Sequence, residues 1–414
     1  MLLLGRQMAQ RGIEYEYWFC TGSNRLAEFM ETGRATLAPV ARLAGRLERG
    51  DFDVVHMTAT DPTAEVVAML ASRSKVVVSA RGGLADIWHH ENCFAYTAIS
   101  EGMALVNQPL TDIRIEVVRN SIDIDRFTPA LEPTNGVPIV AFVGRTTDDI
   151  KDFPRFTRIV RRLAEREGGV RVWIADPHEA NWDKFTNRSV ERIDTERWGR
   201  VPHDEIPDFY RDVAKSGGVV VMTSRSEGFG NVGPEAAACG VRVAAPDVMG
   251  LREAIIHEVT GRIFPADASD DDVAAMLDQW LACPHDRERT SIAARAAFAP
   301  SAMLDAYLRI YERGEQQLVS APSLAPDYAE RALLHEHLAR QRKWRAQAAR
   351  DAAVGLAGEG RPRLALGALA IAYRAAPRQF LNMAAMRQVV STVYRIMRRG
   401  TRRMPPVATP VGVA

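Results

Sequence analysis

The sequence predicts an α/β protein made of two doubly wound, parallel-sheet halves in series, closed by a helical tail. Three observations predict it. Short, nearly all-apolar runs alternate with helical stretches as far as Pro246, which is the pattern of a parallel sheet covered on both faces. The pattern breaks once, at FTPALEPTNGVP (127–138), a linker rich in proline, glycine and polar residues, and then restarts. From about Tyr311 the strands stop and an Ala-, Leu- and Arg-rich segment takes over.

In the first half, residues 2–12 read as a helix ending at Gly12, and EYEYWFC (14–20) as a strand. DFDVVHMTA (51–59) is a short β-branched run, followed by a helix from Pro62 to Arg73. KVVVSA (75–80), FAYTAIS (94–100) and IEVVRN (115–120) are further strands. The second half holds VPIVAFVG (137–144), VRVWIAD (170–176), GGVVVMTS (217–224) and VRVAAP (241–246) as strands. Between them, 153–167, 206–216 and 234–240 read as helices. In the tail, 349–380 reads as two short antiparallel helices around a glycine turn, and the last residues as disordered. The expected units are 1–130, 137–300, a helical basic extension over 301–400, and a disordered end at 401–414. A chain of 414 residues is long enough for two buried cores and an extension.

The net charge of +1 conceals an asymmetry. From His335 to Arg403 there are fifteen basic residues against three acidic ones, so the rest of the chain is acidic. Such a tail points to an anionic partner, and anionic lipid at a membrane face is the reading with a mechanism. The alternative is a solvated helical surface or a partner-binding arm. No regular aromatic pattern accompanies the charge, which argues against nucleic acid. The four cysteines, Cys20, Cys93, Cys239 and Cys283, are scattered without metal-like pairing, and read as reduced thiols of a cytoplasmic protein. No apolar run is long enough to span a membrane, and MLLLGRQMAQRG does not read as a signal peptide.

The segment richest in chemistry is SRSEGFGNVGPEAAACG (224–240). A strand ends at Ser224, a loop with Gly228, Gly230 and Gly233 follows, and a helix opens with Pro234 in its first turn. Glycines let backbone N–H groups approach a ligand, and a helix N-terminus adds free donors and partial positive charge. Together they make an anion cradle at the carboxyl end of a parallel strand. Glu227 and Glu235 bracket it. Carboxylates there oppose phosphate, so their targets are hydroxyls, of a sugar ring or a ribose diol.

Two glutamates separated by seven residues, with GFG after the first and EA-A-A-G after the second, resemble the signature of glycosyltransferase family 4. Four further segments resemble the family in the same order: VVRNSIDIDRFTP (117–129), FVGR (142–145) with Lys151, WGRVPHDEIPDFYRDV (198–213) and MGLREAIIHEVTGRIF (249–264). The resemblance covers about residues 1–313. It implies the GT-B fold, two Rossmann-like domains facing a cleft, and a retaining transfer of sugar from a nucleotide-sugar donor to a saccharide or lipid-linked acceptor in cell-surface glycan synthesis. It implies that Glu227 contacts hydroxyls of the transferred sugar, that Glu235 binds the nucleotide ribose, and that Arg145 and Lys151 clamp the diphosphate. It places Gly228 and the amides of Phe229, Gly230 and Asn231 near sugar and phosphates. No metal and no bound cofactor are expected, since Arg and Lys neutralise the leaving group.

The chain also departs from the family. Its pattern begins with a strand and a glycine-rich loop, which are missing ahead of 2–12. The expectation is a start lying upstream or a shortened copy with impaired activity. Where many relatives carry a histidine after the strand 75–80, Arg81 stands here, with Gly82-Gly83 next and His89 and His90 behind. Arg81 is a candidate phosphate or acceptor contact, and no general base carries over. The step from Arg145 to Lys151 is one residue longer than usual, which leaves open whether Lys151 or Asp152 faces the donor. His56 is open between a packed side chain and a functional one. Two other readings compete with transfer: a non-catalytic nucleotide-sugar-binding scaffold, and a nucleotide-sugar epimerase on the same fold.

Overall fold

The computed structural model describes the chain except residues 22–25, 59–61, 81–92, 131, 133–135, 166–168, 178–192, 320–327, 378–390, 392–393 and 395–414. The first half runs α1 (Leu2–Gln10), β1 (Tyr17–Phe19), α2 (Leu26–Met30), β2 (Ala35–Leu37), α3 (Val40–Arg49), β3 (Val54–Met57), α4 (Pro62–Ala71), β4 (Lys75–Ala80), β5 (Cys93–Ala98), α5 (Glu101–Asn107) and β6 (Ile115–Val117). Its strands form a parallel sheet in the order β3-β4-β5-β6 and a separate parallel pair, β1-β2. The second half runs β7 (Ile139–Val143), α6 (Phe153–Leu163), β8 (Arg171–Ala175), β9 (Thr195–Arg197), α7 (Ile206–Lys215), β10 (Val219–Val221), α8 (Val232–Ala238), β11 (Arg242–Pro246), α9 (Leu251–Ala254), β12 (Gly261–Phe264), α10 (Asp270–Ala282) and α11 (Arg287–Ala297).

Six parallel strands make the second sheet, in the order β12-β11-β10-β7-β8-β9. From β7 the chain winds outward through β8 to β9, then returns to the other side of β7 and winds outward through β10, β11 and β12. Winding direction therefore reverses between β7 and β10. In an open α/β sheet that switch point leaves a crevice outside the carboxyl ends of the two strands, because their following loops diverge to opposite faces. β7 and β10 are built for full burial: Val140, Ala141, Val219 and Val220 have no exposed surface.

α12 (Pro300–Glu312) crosses back to the first half. It buries Met303, Leu304, Tyr307 and Ile310 against Leu4, Val77, Ala95 and Val118. The sequence linker is seated on the second half at its beginning. Phe127 is 1% exposed and lies beside Tyr210, and Arg211 donates to the carbonyls of Arg126 and Thr128, both at 3.0 Å.

The tail differs from the expectation of two short helices. α13 (Tyr328–Gly358) is 31 residues long and α14 (Pro362–Ala375) is 14. Arg, Lys, Gln, Glu and Ala predominate in 328–354 without Pro or Gly, so nothing interrupts the helix early. The two helices form a hairpin across Gly360 and pack on α3 and α4. Alanines at 349, 353, 365, 368 and 372 are completely buried, and the small side chains let the helices approach closely. Glu359 accepts the Ala41 N–H at 3.1 Å, and Arg361 pairs with Glu48. Several strands are shorter than their apolar runs, as at β1 and β10. α2, β2, α3, α5, β9, α9, β12, α10, α11 and α12 were not among the expected elements. Residues 401–414, expected as disordered, lie outside the described residues.

Candidate active site

The loop after β7 and the loop after β10 border the crevice, and backbone bonds stitch them together. Thr223 Oγ1 donates to the carbonyls of Lys151 at 2.8 Å and Asp152 at 3.0 Å. The Arg225 N–H donates to the Ile150 carbonyl at 2.7 Å. Asp152 adopts a left-handed φ of 46°, caps α6 by accepting the Arg155 N–H at 3.2 Å, and holds Arg225 at 3.0 Å. Lys151, one residue earlier, points the other way and forms an ion pair with Glu227. Ser224 Oγ donates to the same carboxylate oxygen at 2.8 Å. Of these two neighbours, the geometry brings Lys151 to Glu227 and gives Asp152 to capping.

Arg145 follows Gly144 at the end of β7 and pairs with Asp148, leaving its guanidinium half exposed. The next residue is anchored from β8. Asp176, fully buried at the strand's end, accepts from the Thr146 N–H at 3.2 Å and from its hydroxyl. Sequence reading missed this clasp. The signal available was an ionisable residue closing an otherwise apolar run.

The glycine loop rests on the segment before α9. Gly230 has φ +84° and Gly250 has φ +82°, a region L side chains rarely adopt. A Cβ on Gly250 would strike the backbone of Glu227 and Gly228, so the close seating of the loop needs glycine there. Phe229 is 2% exposed and packs edge-on against Phe298. Its side chain belongs to the core, and only its amide can serve a ligand. Gly233, expected in the loop, lies inside α8, which begins two residues before Pro234.

Glu235 stands in the first turn of α8. It keeps some open surface, yet protein encloses its carboxyl, and burial pushes it up to about 8. Behind it, the Tyr210 hydroxyl is buried without a hydrogen-bond partner among the described residues. Its ionisation is driven well above the ordinary value by burial first, and then by Glu235 and Cys239. Near neutral pH Glu235 is therefore mostly a protonated acid, while Glu227 pairs with Lys151.

The halves also meet across the cleft at a cluster that the sequence did not disclose. Glu253 of α9 accepts the Glu101 N–H at 2.8 Å and the Gly102 N–H at 3.3 Å, with Arg119 Nε 3.3 Å away. Asn120 Nδ2 donates to Asn231 Oδ1 at 3.2 Å. His56 resolves to packing: it bonds Tyr311 at 2.6 Å and Ser79 at 2.5 Å, tying α12 to β3 and β4. Arg81, His89 and His90 lie outside the described residues.

Comparison with known proteins agrees with this architecture. Residues 123–297 match the family described as glycosyl transferases group 1. The D-inositol 3-phosphate glycosyltransferase of Mycobacteroides abscessus is 30% identical over 213 residues, covering 48% of this chain and 46% of that protein. The Mycolicibacterium smegmatis protein of the same name is 32% identical over 218 residues, covering 48% of each. The chain thus spans about half the length of the curated relatives it matches. A glycosyltransferase structure from Rickettsia africae aligns with a TM-score of 0.60 at 18% identity, over 75% of this chain and 93% of that one. Anabaena Alr3699/HepE in complex with UDP and glucose aligns with a TM-score of 0.52 at 16% identity, over 74% and 88%. The chain has the GT-B fold, and its residues 123–297 match the glycosyl transferases group 1 domain.

Proposed function

We propose that this chain is a retaining glycosyltransferase that binds a nucleoside diphosphate sugar in the crevice between β7 and β10. It passes the sugar to a saccharide or lipid-linked acceptor held by the first half, in synthesis of a cell-surface glycan. The observation that carries this reading is the meeting of Lys151 and Glu227 at the switch point, beside the glycine loop. Lys151 and Arg145 neutralise the diphosphate, each leaving its present carboxylate partner to do so. Glu227 accepts hydroxyls of the transferred sugar and Glu235 those of the ribose. Gly228 and the amides of Phe229, Gly230 and Asn231 line the sugar and phosphates.

The bond from the sugar's anomeric carbon to the phosphate oxygen breaks, and its electron pair stays on that oxygen. The acceptor hydroxyl bonds to the same face of the carbon, and its proton passes to the departing phosphate. Fixed cations and N–H dipoles aimed at that phosphate favour the transition state, where its charge grows. No metal takes part in this scheme.

The named relatives, glycosyltransferases acting on D-inositol 3-phosphate, and the neighbour that holds UDP and glucose support this class of chemistry. No helix among the described residues is long and apolar enough to cross a membrane. Contact with an anionic membrane at the cytoplasmic face is supported by α14, whose exposed Leu366 and Tyr373 sit among Arg363 and Arg374. The test is incubation with uridine and guanosine diphosphate sugars and simple glycoside acceptors, following nucleoside diphosphate release and the anomeric proton of the product. Retention of the donor's configuration supports the reading. Inversion, or release of the diphosphate without a glycosidic product, contradicts it.

A further inference from the structure

The Tyr210 hydroxyl plays no part in the transfer scheme, yet its surroundings give it a task. Tyr210 stands on α7 with no exposed surface, and its hydroxyl has no hydrogen-bond partner among the described residues. Burying a hydroxyl unpaired is costly, so such a group needs a partner in some state of the protein. Its ring is not free to swing toward one. Phe127 and Phe209 lie beside it, with ring centres 6.3 and 5.9 Å away, and the next residue, Arg211, ties α7 to the linker carbonyls. The partner is therefore a group that comes to the hydroxyl.

Two titratable groups face it, both from α8, which packs on α7: Glu235, and Cys239 one turn later. A thiol is a weak acceptor, whereas a carboxylate accepts up to about four hydrogen bonds, so two ribose hydroxyls leave it room for a third donor. Charged neighbours on the helices packed against α8 are engaged elsewhere. Arg211 pairs with Asp208, Arg252 of α9 with Asp247, and Arg287 and Arg295 of α11 donate to the carbonyls of Ala214 and Ile124. Glu253 of α9 is turned to α5. That leaves the Tyr210 hydroxyl to serve Glu235.

We propose that Tyr210 is a positioning residue for the donor: when ribose hydroxyls bind Glu235 as a carboxylate, that carboxylate accepts the Tyr210 O–H from behind and is held aimed at the ribose. This role rests on Glu235 holding the ribose, as proposed. Without a donor the carboxyl is neutral near pH 7 and a poor acceptor, so the hydroxyl stays unpaired. On binding, the carboxyl proton leaves to solvent through the open side of the crevice.

The test is a calorimetric titration of uridine and guanosine diphosphate sugars into the chain and into Tyr210→Phe, from pH 5 to pH 9. Affinity of the unaltered chain climbs about tenfold per pH unit between the value at which bound Glu235 titrates and about 8, where free Glu235 does. Tyr210→Phe keeps the ring and removes only the hydroxyl. It binds about tenfold more weakly at pH 8, the climb begins about one pH unit higher, and below that point the two proteins bind alike. The upper end of the climb stays in place, because the hydroxyl bonds nothing in the free chain. Urea melts show the unliganded variant at least as stable as the unaltered chain. In a Glu235→Gln background, Tyr210→Phe changes affinity by less than about twofold. Equal affinity of the two proteins at pH 8, an equal loss at every pH, or an undiminished loss in the Glu235→Gln background overturns this role and leaves the donor site standing. Failure of every diphosphate sugar to bind the unaltered chain overturns the donor site and this role with it.

Discussion

Lys151 and Glu227 leave neighbouring strands of the second sheet, and their side chains form an ion pair across its switch point. Each holds the other in place before any ligand arrives, so the crevice carries a cation and a carboxylate already aimed. In the proposed scheme a diphosphate sugar offers each a better partner: phosphate for Lys151, hydroxyls for Glu227. Donor binding then exchanges one set of charge-assisted bonds for another and strands no buried charge.

With Glu235 holding the ribose as proposed, donor binding depends on pH. Its carboxyl titrates near 8 in the free chain, and accepting two ribose hydroxyls favours the carboxylate, which lowers that value. Binding near pH 7 therefore releases a proton and strengthens as pH rises toward 8. Calorimetry in buffers of different ionisation enthalpy measures the release, and Glu235→Gln abolishes it.

The same group sets a stability trend with the opposite sense. Unfolded, Glu235 titrates near 4.5, whereas folded it holds its proton to about 8. Between those values the folded state binds more protons, so this group's contribution to stability falls as pH rises and levels off above 8. Urea melts of the unliganded chain and of Glu235→Gln, taken at pH 5 and pH 8, show the variant losing less stability over that interval.

Asp176 positions the loop that carries Arg145. Asp176→Ala leaves the Thr146 N–H and hydroxyl unsatisfied in a buried place, a cost of about 1–3 kcal/mol by chemical denaturation. Thr146→Val removes one of the two bonds and loses less. Donor affinity falls in both variants while acceptor KM changes little.

The tail hairpin is packed on the first half through small residues. A Cβ at Gly355 stands 2.7 Å from Val40 Cγ2. Gly355→Val overpacks that contact and destabilises by about 1–3 kcal/mol. Hydrogen exchange rises in α13 and α14 together and stays unchanged in the second sheet.

Much of this was readable in advance, and for definite reasons. The crevice residues stand out because glycines, a helix start and two glutamates fall within one short segment, and their chemistry does not depend on distant partners. β4 matched its apolar run residue for residue, since it is central and buried on both faces. β9, Thr195–Arg197, was invisible because an edge strand of polar residues carries no apolar signature. α3 was missed although Leu43, Ala44 and Leu47 mark its buried stripe, since three arginines and a glutamate break up the remainder. Asp176 reads as a turn residue until Thr146 is placed beside it. Glu253 gains its meaning only when α9 meets the backbone of α5 across the cleft. Such contacts are set by docking between elements far apart in the chain, which local pattern does not encode.

The most direct measurement is a calorimetric titration of uridine and guanosine diphosphate sugars into the chain and into Lys151→Ala. One donor binds the unaltered chain, and the variant binds it about tenfold to a hundredfold more weakly, as loss of a charge-assisted phosphate contact requires. Failure of every nucleotide sugar to bind, or binding by Lys151→Ala at full strength, contradicts a donor seated between β7 and β10.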